Sequence, residues 1–469
     1  MSVDWSFVRL KDYCTKIGSG STPRGGANVY LDSGNVCLIR SQNIYNDGFS
    51  ENGLVFISDS DAEKLNNVEI ELNDVLINIT GDSVARVCLA PKDKLPARVN
   101  QHVAIIRTVK NELDPKFVRY FLTDRNTQNH LLTLAGTGAT RNALTKGMLE
   151  EFLVPKPDIL IQKKISKILS DLDEKIHLNN QINQTLESIA QTIFKSWYID
   201  FDPVRAKIAA KLEGADPEIA AMCVISGKSE AELKKMPEDD FAELQATAVL
   251  FPDELVESEL GEVPRGWEVT RFNKIILQYI DNRGKTPPTQ IDGIPLLEVK
   301  HLPEGSLNPD LNTEKRVSLE TFNNWFRAHL QEDDLIISTV GTIGRLCIIP
   351  ADKKLTIAQN ILGLRFKKDE VNPLFMYYQM DSCKFRNDVN ARLVITVQAS
   401  IKRKDLETID LLKPDINIQN VFAEKIKPFV LSQQSDESLK LIDIRDTLLP
   451  KLLSGEVSVE DIKQQQDLA

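Results

Sequence analysis

Two kinds of hydrophobic pattern alternate along the chain. Short apolar runs bounded by Gly, Pro, Asn and Asp, such as VCLIR at 36–40 and DLIIS at 334–338, are typical of strands separated by turns. Segments such as PKFVRYFLTDRN at 115–126 follow an Asp or Asn and begin with Pro, which is a helix-start pattern. Both kinds occur in 1–155 and again in 265–413, so each stretch is predicted to be an α+β module.

A different period follows each module. Apolar side chains recur at alternating spacings of four and three, the heptad pattern of a helix that packs against another helix. The predicted seam of the first helix contains Ile165, Leu169, Leu172, Ile176, Leu186, Ile193 and Trp197, with Asn179 and Asn183 as polar members. The predicted seam of the second helix contains Phe422, Ile426, Phe429, Leu441, Leu448 and Leu452.

These two helices are expected to be long, antiparallel and packed on each other like a coiled coil. At about 1.5 Å per residue, a helix over 161–199 would be about 60 Å long. Neither helix can leave its apolar stripe in water, so mutual packing is the economical arrangement. Polar seam residues would fix register and orientation; simple exposure where the helices splay explains the two asparagines equally well.

The two modules read as copies of each other. KPDILIQ at 156–162 and KPDINIQ at 413–419 agree at six of seven positions, with an offset of 257 residues (413 − 156). DVLINITGDSVARVCLAP at 74–91 aligns with DLIISTVGTIGRLCIIP at 334–350 when one residue is dropped after the glycine. A repeat of this length indicates domain duplication with a pseudo-two-fold internal repeat. The heptapeptide would then join each module to its helix. The ordinary residue preferences at the start of a helix also explain its sequence.

The predicted organisation therefore has six parts. They are a first module at 1–155, a central long helix at 156–202, an acidic insert at 203–264, a second module at 265–413, a C-terminal long helix at 414–458 and a tail at 459–469.

Charge and composition change this picture only locally. The net charge is −11, but 203–264 alone carries 6 basic and 14 acidic residues, whereas 265–413 carries 22 basic and 19 acidic residues. The acidity therefore does not exclude a nucleic-acid partner for the modules. The six cysteines are scattered without metal-ligand spacing, so no metal is expected. The chain shows neither a signal-peptide pattern nor a long apolar run, so a cytoplasmic protein is expected.

The order of motifs resembles a known family. FDPVRAK at 201–207, FPDELVESELGEVPRGW at 251–267 and LLPKLLSGEV at 448–457 flank the modules and helices. Together with the KPDxxxQ joints they resemble the specificity (S) subunit of type I restriction-modification enzymes over nearly the whole chain.

The resemblance implies a DNA reader that is not an enzyme by itself. Each module would be a target recognition domain for one half of a bipartite site in double-stranded DNA. The helices would set the spacing and dock two adenine-N6 methyltransferase subunits, which motor-nuclease subunits would join to form an ATP-dependent endonuclease. S-adenosylmethionine, ATP and Mg²⁺ would be used by those partners, with no cofactor bound by this chain.

Arginine, lysine, asparagine and glutamine can each grip a base edge through two hydrogen bonds, which gives the base-reading candidates. In the first module they are Arg40, Gln42, Asn43, Asn100, Gln101, Arg141 and Asn142. In the second they are Lys300, His301, Arg345, Gln359, Asn360, Arg392 and Gln398. The predicted phosphate contacts are Thr22, Arg24, Lys285, Thr286, Lys402, Arg403 and Lys404.

Two other functions compete with this reading. Asp292, Glu298 and Lys300 form a loose D…ExK pattern of the kind that metal-dependent nucleases use, but the first copy does not repeat it. A helical protein-interaction scaffold is the second alternative. The acidic insert would shield basic surface, mimic DNA charge or serve as a solvated linker, and the linker is favoured.

Overall fold

The computed structural model describes residues 5–136, 142–282, 284–395, 398–434 and 437–459. The chain divides into two compact units: Met1–Asn180 with Asp436–Ala469, and Gln181–Ser435. Each unit holds one module together with paired helices.

The first module is a mixture of short strands and helices. Its strands are β1 (Phe7–Arg9), β2 (Cys14–Ser19), β3 (Val36–Ile39), β4 (Ile44–Tyr45), β5 (Gly48–Phe49), β6 (Val55–Ile57), β7 (Val75–Asn78), β8 (Val87–Leu89), β9 (Ala97–Val99), β10 (Val103–Thr108) and β11 (Leu153–Pro155). Its helices are α1 (Asp59–Lys64), α2 (Pro115–Thr123), α3 (Arg125–Gly136) and α4 (Lys146–Glu150).

The middle of the chain is mostly helical. The long helix α5 (Ile159–Tyr198) is followed by α6 (Asp202–Glu213), α7 (Pro217–Ser226), α8 (Glu230–Leu233), α9 (Glu238–Val249) and the hairpin β12 (Leu255–Ser258) and β13 (Gly261–Pro264).

The second module and the C-terminal helices complete the described chain. The strands are β14 (Glu268–Arg271), β15 (Ile276–Ile280), β16 (Ile294–Leu297), β17 (Arg316–Val317), β18 (Leu335–Ser338), β19 (Leu346–Ile348), β20 (Thr356–Ile357), β21 (Ile361–Phe366), β22 (Val394–Ile395), β23 (Ala399–Ser400) and β24 (Asp410–Lys413). The helices are α10 (Phe272–Ile275), α11 (Leu319–Trp325), α12 (Pro373–Asp381), α13 (Cys383–Asn390), α14 (Arg403–Leu406), α15 (Ile416–Gln434) and α16 (Glu437–Ser454).

The two modules share the topology of their four-stranded and three-stranded sheets, which confirms the predicted duplication. The four-stranded sheets have the orders β2-β10-β7-β8 and β15-β21-β18-β19, and the three-stranded sheets have the orders β6-β3-β9 and β17-β16-β20. The parallel pairs correspond as well, β3 with β9 and β16 with β20. In each module the first and last strands of the fold pair antiparallel, β1 with β11 and β14 with β24.

A buried ion pair recurs in the four-stranded sheet of each module. Arg107 donates to both carboxylate oxygens of Asp74 at 2.8 Å, and Arg365 donates to those of Asp334 at 2.9 and 2.7 Å. Each aspartate also accepts a backbone N–H three residues earlier, which closes the turn before its strand. The repeated Asp of the DVLI and DLII runs therefore serves the fold.

The KPDxxxQ joint has the same geometry in both copies. Gln162 and Gln419 are fully buried. The side-chain oxygen of Gln162 accepts from the backbone N–H of Asp114 at 2.8 Å, and that of Gln419 accepts from Asn372 at 2.9 Å. Asp114 and Asn372 are the N-caps of α2 and α12. The joint glutamine thus ties the long helix to the start of a module helix.

The long helix pairs with a different helix in each unit, and both pairs are antiparallel. In the first unit Ile165 and Leu169 of α5 are buried with Leu452 of α16, while Asn179, further along α5, donates to Glu437 at the start of α16 at 3.1 Å. In the second unit the seam is aromatic, and the described contacts join Phe194, Trp197 and Tyr198 to Phe422 at ring distances of 5.5–6.2 Å.

All the predicted seam residues are buried or half-buried. Ile165, Leu169, Ile176, Trp197, Phe422, Ile426 and Leu452 are buried, and Leu172, Leu186, Ile193, Phe429, Leu441 and Leu448 are half-buried. Asn179 is buried and Asn183 half-buried. Near Asn179 the α5–α16 pair also contains Lys175, whose ammonium lies 3.4 Å from Glu437 at the start of α16.

The acidic insert is folded, which corrects the preference for a solvated linker. Val204, Met222 and Ala248 are completely buried, and the ring of Phe251 lies edge-on to Trp197 at 5.2 Å. Lys207 is buried and donates to Glu218 at 2.9 Å and to the Phe251 carbonyl at 2.8 Å. The insert is not an open linker. Its apolar side chains are spaced for helices, and their burial against α5 stabilises a packed subdomain.

Candidate nucleic-acid interface

A groove crosses one face of the first module where three connections meet. The turn after β3, the β7–β8 connection and the β9–β10 connection border it, and the bridge between Thr80 and Ala143 brings a fourth segment to its edge. The groove has a volume of about 600 Å³ and is lined by Ser41, Gln42, Tyr45, Thr80, Gly81, Asp82, Ser83, Arg86, His102, Asn142 and Ala143.

The chemistry of this groove suits base edges. Exposed amides of Gln42 and Asn142 offer paired donors and acceptors, which match adenine in the major groove. The guanidinium of Arg86 lies over the Tyr45 ring at 4.7 Å, so the cation is held at the groove by the ring. His102 shares a 2.6 Å hydrogen bond between its Nδ1 and the Thr80 hydroxyl, which fixes the orientation of the imidazole.

Several predicted first-module candidates are engaged inside the protein. Asn43 is fully buried and bonds the backbone of Arg40, Ser50 and Asn52, and Asn100 is buried and accepts from the His102 N–H at 3.1 Å. Arg40 donates to the Gly53 carbonyl and lies over the Tyr30 ring. These three side chains hold loops in shape, which leaves them badly placed to reach DNA.

The remaining first-module candidates lie at the surface. Gln42, Gln101, Asn142 and Arg24 are exposed, and Thr22 is half-buried. The side-chain nitrogen of Gln42 donates hydrogen bonds to the Asn52 and Gly53 carbonyls at 3.4 and 3.2 Å. Arg141 lies outside the described residues.

The second module brings together the equivalent segments. Val340 bridges Ser400, as Thr80 bridges Ala143 in the first module, so the β18–β19 connection lies beside the segment that contains Gln398. Gln398 and Gln359 are exposed, and Asn360 is half-buried. Gln398 lies two residues from this bridge, and Gln359 and Asn360 lie on the connection between β20 and β21.

Other second-module candidates are paired. His301 is buried and its Nδ1 accepts from the Glu298 N–H at 2.9 Å. Lys300 is exposed but lies 2.7 Å from Glu314. Arg345 donates to the Leu302 carbonyl at 3.2 Å, and Arg392 donates to the Asp388 carbonyl at 2.8 Å.

The phosphate candidates of the second module are mostly free to face solvent. Lys285, Thr286, Lys402, Arg403 and Lys404 are all exposed. Arg403 also lies over the Tyr279 ring at 4.3 Å and pairs with Glu407 at 2.8 Å.

Sequence reasoning missed three residues that line the first groove: Tyr45, Arg86 and His102. The sequence holds a signal for one of them, because Arg86 aligns with Arg345, which is a predicted base-reading residue. Nothing in the local sequence indicates that the hairpin of β4 and β5 presents Tyr45 to the same groove as Arg86.

The geometry does not support the nuclease alternative. The Glu298 carboxylate lies 2.7 Å from the Lys315 ammonium, which satisfies its charge without a metal. Over the described ranges we find no group of three or more His, Cys, Asp or Glu side chains that could hold a metal ion. In the same part of the chain no helix has the length and apolar character needed to cross a membrane.

Comparison with known proteins decides the family. The model of the type I restriction modification DNA specificity domain matches residues 2–188 and again residues 264–441. The chain belongs to the type I restriction-modification specificity family. It is a non-catalytic DNA specificity subunit, and neither the nuclease nor the scaffold alternative is supported.

Relatives of this specificity subunit match it from end to end. It is 28% identical to the HindI specificity subunit of Haemophilus influenzae over 97% of this chain and 100% of the relative. It is 21% identical to the putative MjaX specificity subunit of Methanocaldococcus jannaschii over 97% of this chain and 94% of the relative. The crystal structure of the type I S subunit from M. genitalium shares its fold with a TM-score of 0.53, 14% identity and 96% coverage of both chains.

Proposed function

We propose that each module of this specificity subunit reads one half of a bipartite DNA site. The observation that carries the proposal is the repeat itself, in which two modules of one topology each join a long helix through the same buried glutamine. A duplicated reader suits duplex DNA, because the DNA backbone presents two-fold related surfaces.

In the first module the reading surface is the groove lined by Gln42, Arg86 and Asn142. The amides would pair with adenine and the guanidinium with guanine. In the second module the corresponding surface contains Gln359 and Gln398. Lys285, Lys402 and Lys404 would contact phosphates, which adds affinity without sequence preference.

The paired helices would hold the readers apart and dock the catalytic partners. We propose that two adenine-N6 methyltransferase subunits bind them and that motor-nuclease subunits join the assembly. S-adenosylmethionine, ATP and Mg²⁺ would be used by these partners in the cytoplasm. The flipped adenine would enter a methyltransferase, while this chain chooses the site.

The decisive experiment maps methylated adenines. The chain is expressed with its methyltransferase partners in cells that lack other adenine methylation, and genomic N6-methyladenine is located by single-molecule sequencing. The expected result is one split motif with a fixed gap. A second strain carries a chimera in which residues 1–155 are replaced by the corresponding first module of the HindI relative.

The chimera should methylate a motif that differs from the first in one half only. A change in both halves, or a continuous motif without a gap, would refute independent reading by the modules. The proposal also fails if methylation requires no specificity subunit at all, which a strain expressing the partners alone tests.

A further inference from the structure

We propose that Asp173, on α5, is a positioning residue for base recognition by the first module, although it does not line the groove. The inference rests on the proposed function of that groove. Asp173 holds Arg119, and Arg119 holds the turn that carries Tyr45 at the groove wall.

The chain of contacts is continuous within the first unit. Arg119 donates through Nη1 to Asp173 at 2.8 Å and through Nη2 to the Asn46 carbonyl at 2.7 Å. The side-chain oxygen of Asn46 accepts from the backbone N–H of Val87 at 2.9 Å. The tip of the hairpin is therefore fixed through both its backbone and its side chain.

That hairpin shapes the groove. Tyr45 pairs with Gly48 across it, so Asn46 and Asp47 form the turn. The Tyr45 ring supports the Arg86 guanidinium at 4.7 Å, and both side chains line the groove. A shift of the turn would move a wall of the groove and release its arginine.

Asp173 is the common acceptor of three donors. Besides Arg119, it accepts from the Tyr120 hydroxyl at 2.7 Å and from Arg445 of α16 at 3.0 Å. Burial and then the charge of Asp173 raise the pKa of Tyr120 far above its usual value, so the hydroxyl stays protonated and donates. Without this carboxylate Arg445 would keep its pair with Asp446 at 2.8 Å, whereas Arg119 would lose the partner that orients it on the α5 side and would be released from the turn.

The second module does not repeat Arg119. Its helix α12 begins at Pro373 as α2 begins at Pro115, so Tyr377 occupies the position of Arg119 and Tyr378 that of Tyr120. Tyr378 donates to Glu187 at 3.1 Å. Since Tyr377 has no guanidinium, the acid on α5 supports the helix but does not reach a hairpin. Glu187 is thus a matched control for Asp173.

The test uses the complete complex with its methyltransferase subunits. Wild type, Asp173→Asn, Arg119→Met and Glu187→Gln are compared in competition binding to duplex libraries varied in one half of the target. Asp173→Asn and Arg119→Met should each relax base preference in the first half by about tenfold, with the second half unchanged. Glu187→Gln should leave first-half preference as in wild type, and Asp173→Glu should restore most of it.

Arg119→Met keeps the experiment informative if Asp173→Asn folds poorly, because Asp173 then still pairs with Arg445. Unchanged first-half preference in Arg119→Met, or equal losses in both halves, would overturn the inference. Failure of the proposed function looks different: the wild-type complex itself would show no base preference in either half.

Discussion

Asn43 in the first module and His301 in the second occupy the same turn after the central strand of the three-stranded sheet. Both side chains are buried, and both accept the backbone N–H three residues earlier, from Arg40 at 3.0 Å and from Glu298 at 2.9 Å. The preceding residue differs in chemistry, since Gln42 lies in the first groove and Lys300 pairs with Glu314. Buried polar contacts of the duplicated fold are repeated, whereas their exposed neighbours have diverged.

The largest expected effect tests whether the buried aspartate–arginine pair contributes equally to the stability of the two modules. Asp74→Ala and Asp334→Ala should each lower the free energy of unfolding of their own module by about 3 kcal/mol, because each removes the buried carboxylate that pairs with a largely sheltered arginine and closes the turn before its strand. Hydrogen exchange measured by mass spectrometry on β7 and β18 would locate the loss. The exposed Asp32→Ala is the control. Unequal losses would show that the two sheets do not depend on this pair alike.

The joints should be nearly as sensitive. Gln162→Ala and Gln419→Ala each leave buried backbone groups without partners, at a cost of about 2 kcal/mol. Thermal unfolding, with exchange on α2 and α12, measures the effect, and the exposed Gln184→Ala is the matched control. If either variant unfolds at the wild-type temperature, the heptapeptide in that copy only starts a helix and does not tie it to the module.

The reading surfaces should respond independently. Asn142→Ala should relax base preference at one position of the first half-site by about 1.5 kcal/mol, and Gln398→Ala should do so only in the second half, since each amide would lose two hydrogen bonds to a base. Competition binding by the assembled complex measures both. A uniform loss of affinity for all sequences would instead assign the residue to backbone contact.

The smallest expected effect distinguishes the modules by pH. The hydrogen bond from Lys300 lowers the pKa of Glu314 to about 2. The folded pKa lies below the unfolded value, so this contact stabilises the second module above about pH 4.5, and the contribution is lost as the pH falls towards 2. Glu314→Gln should flatten that part of the acid-unfolding curve of the second module. An unchanged slope would mean that the pair is too exposed to matter.

The first groove marks the limit of prediction from sequence. Gln42 and Asn142 were selected by chemistry alone, and both line the first groove. Asn43 and Asn100 carry the same amide group but are buried, and the imidazole of His301 is buried as well. Sequence letters do not distinguish these groups, because whether an amide is exposed depends on which loops fold over it.

The sequence by itself determined the duplication, the helices with their heptad seams and the joints between modules and helices. These features follow from periodicity and capping, which act between residues close in the chain. Tertiary structure alone decided that the acidic insert packs on α5 and that Asp173 meets Arg119, 54 residues away. Contacts between distant residues depend on how elements pack, and a short polar side chain carries no local signal of its eventual partner.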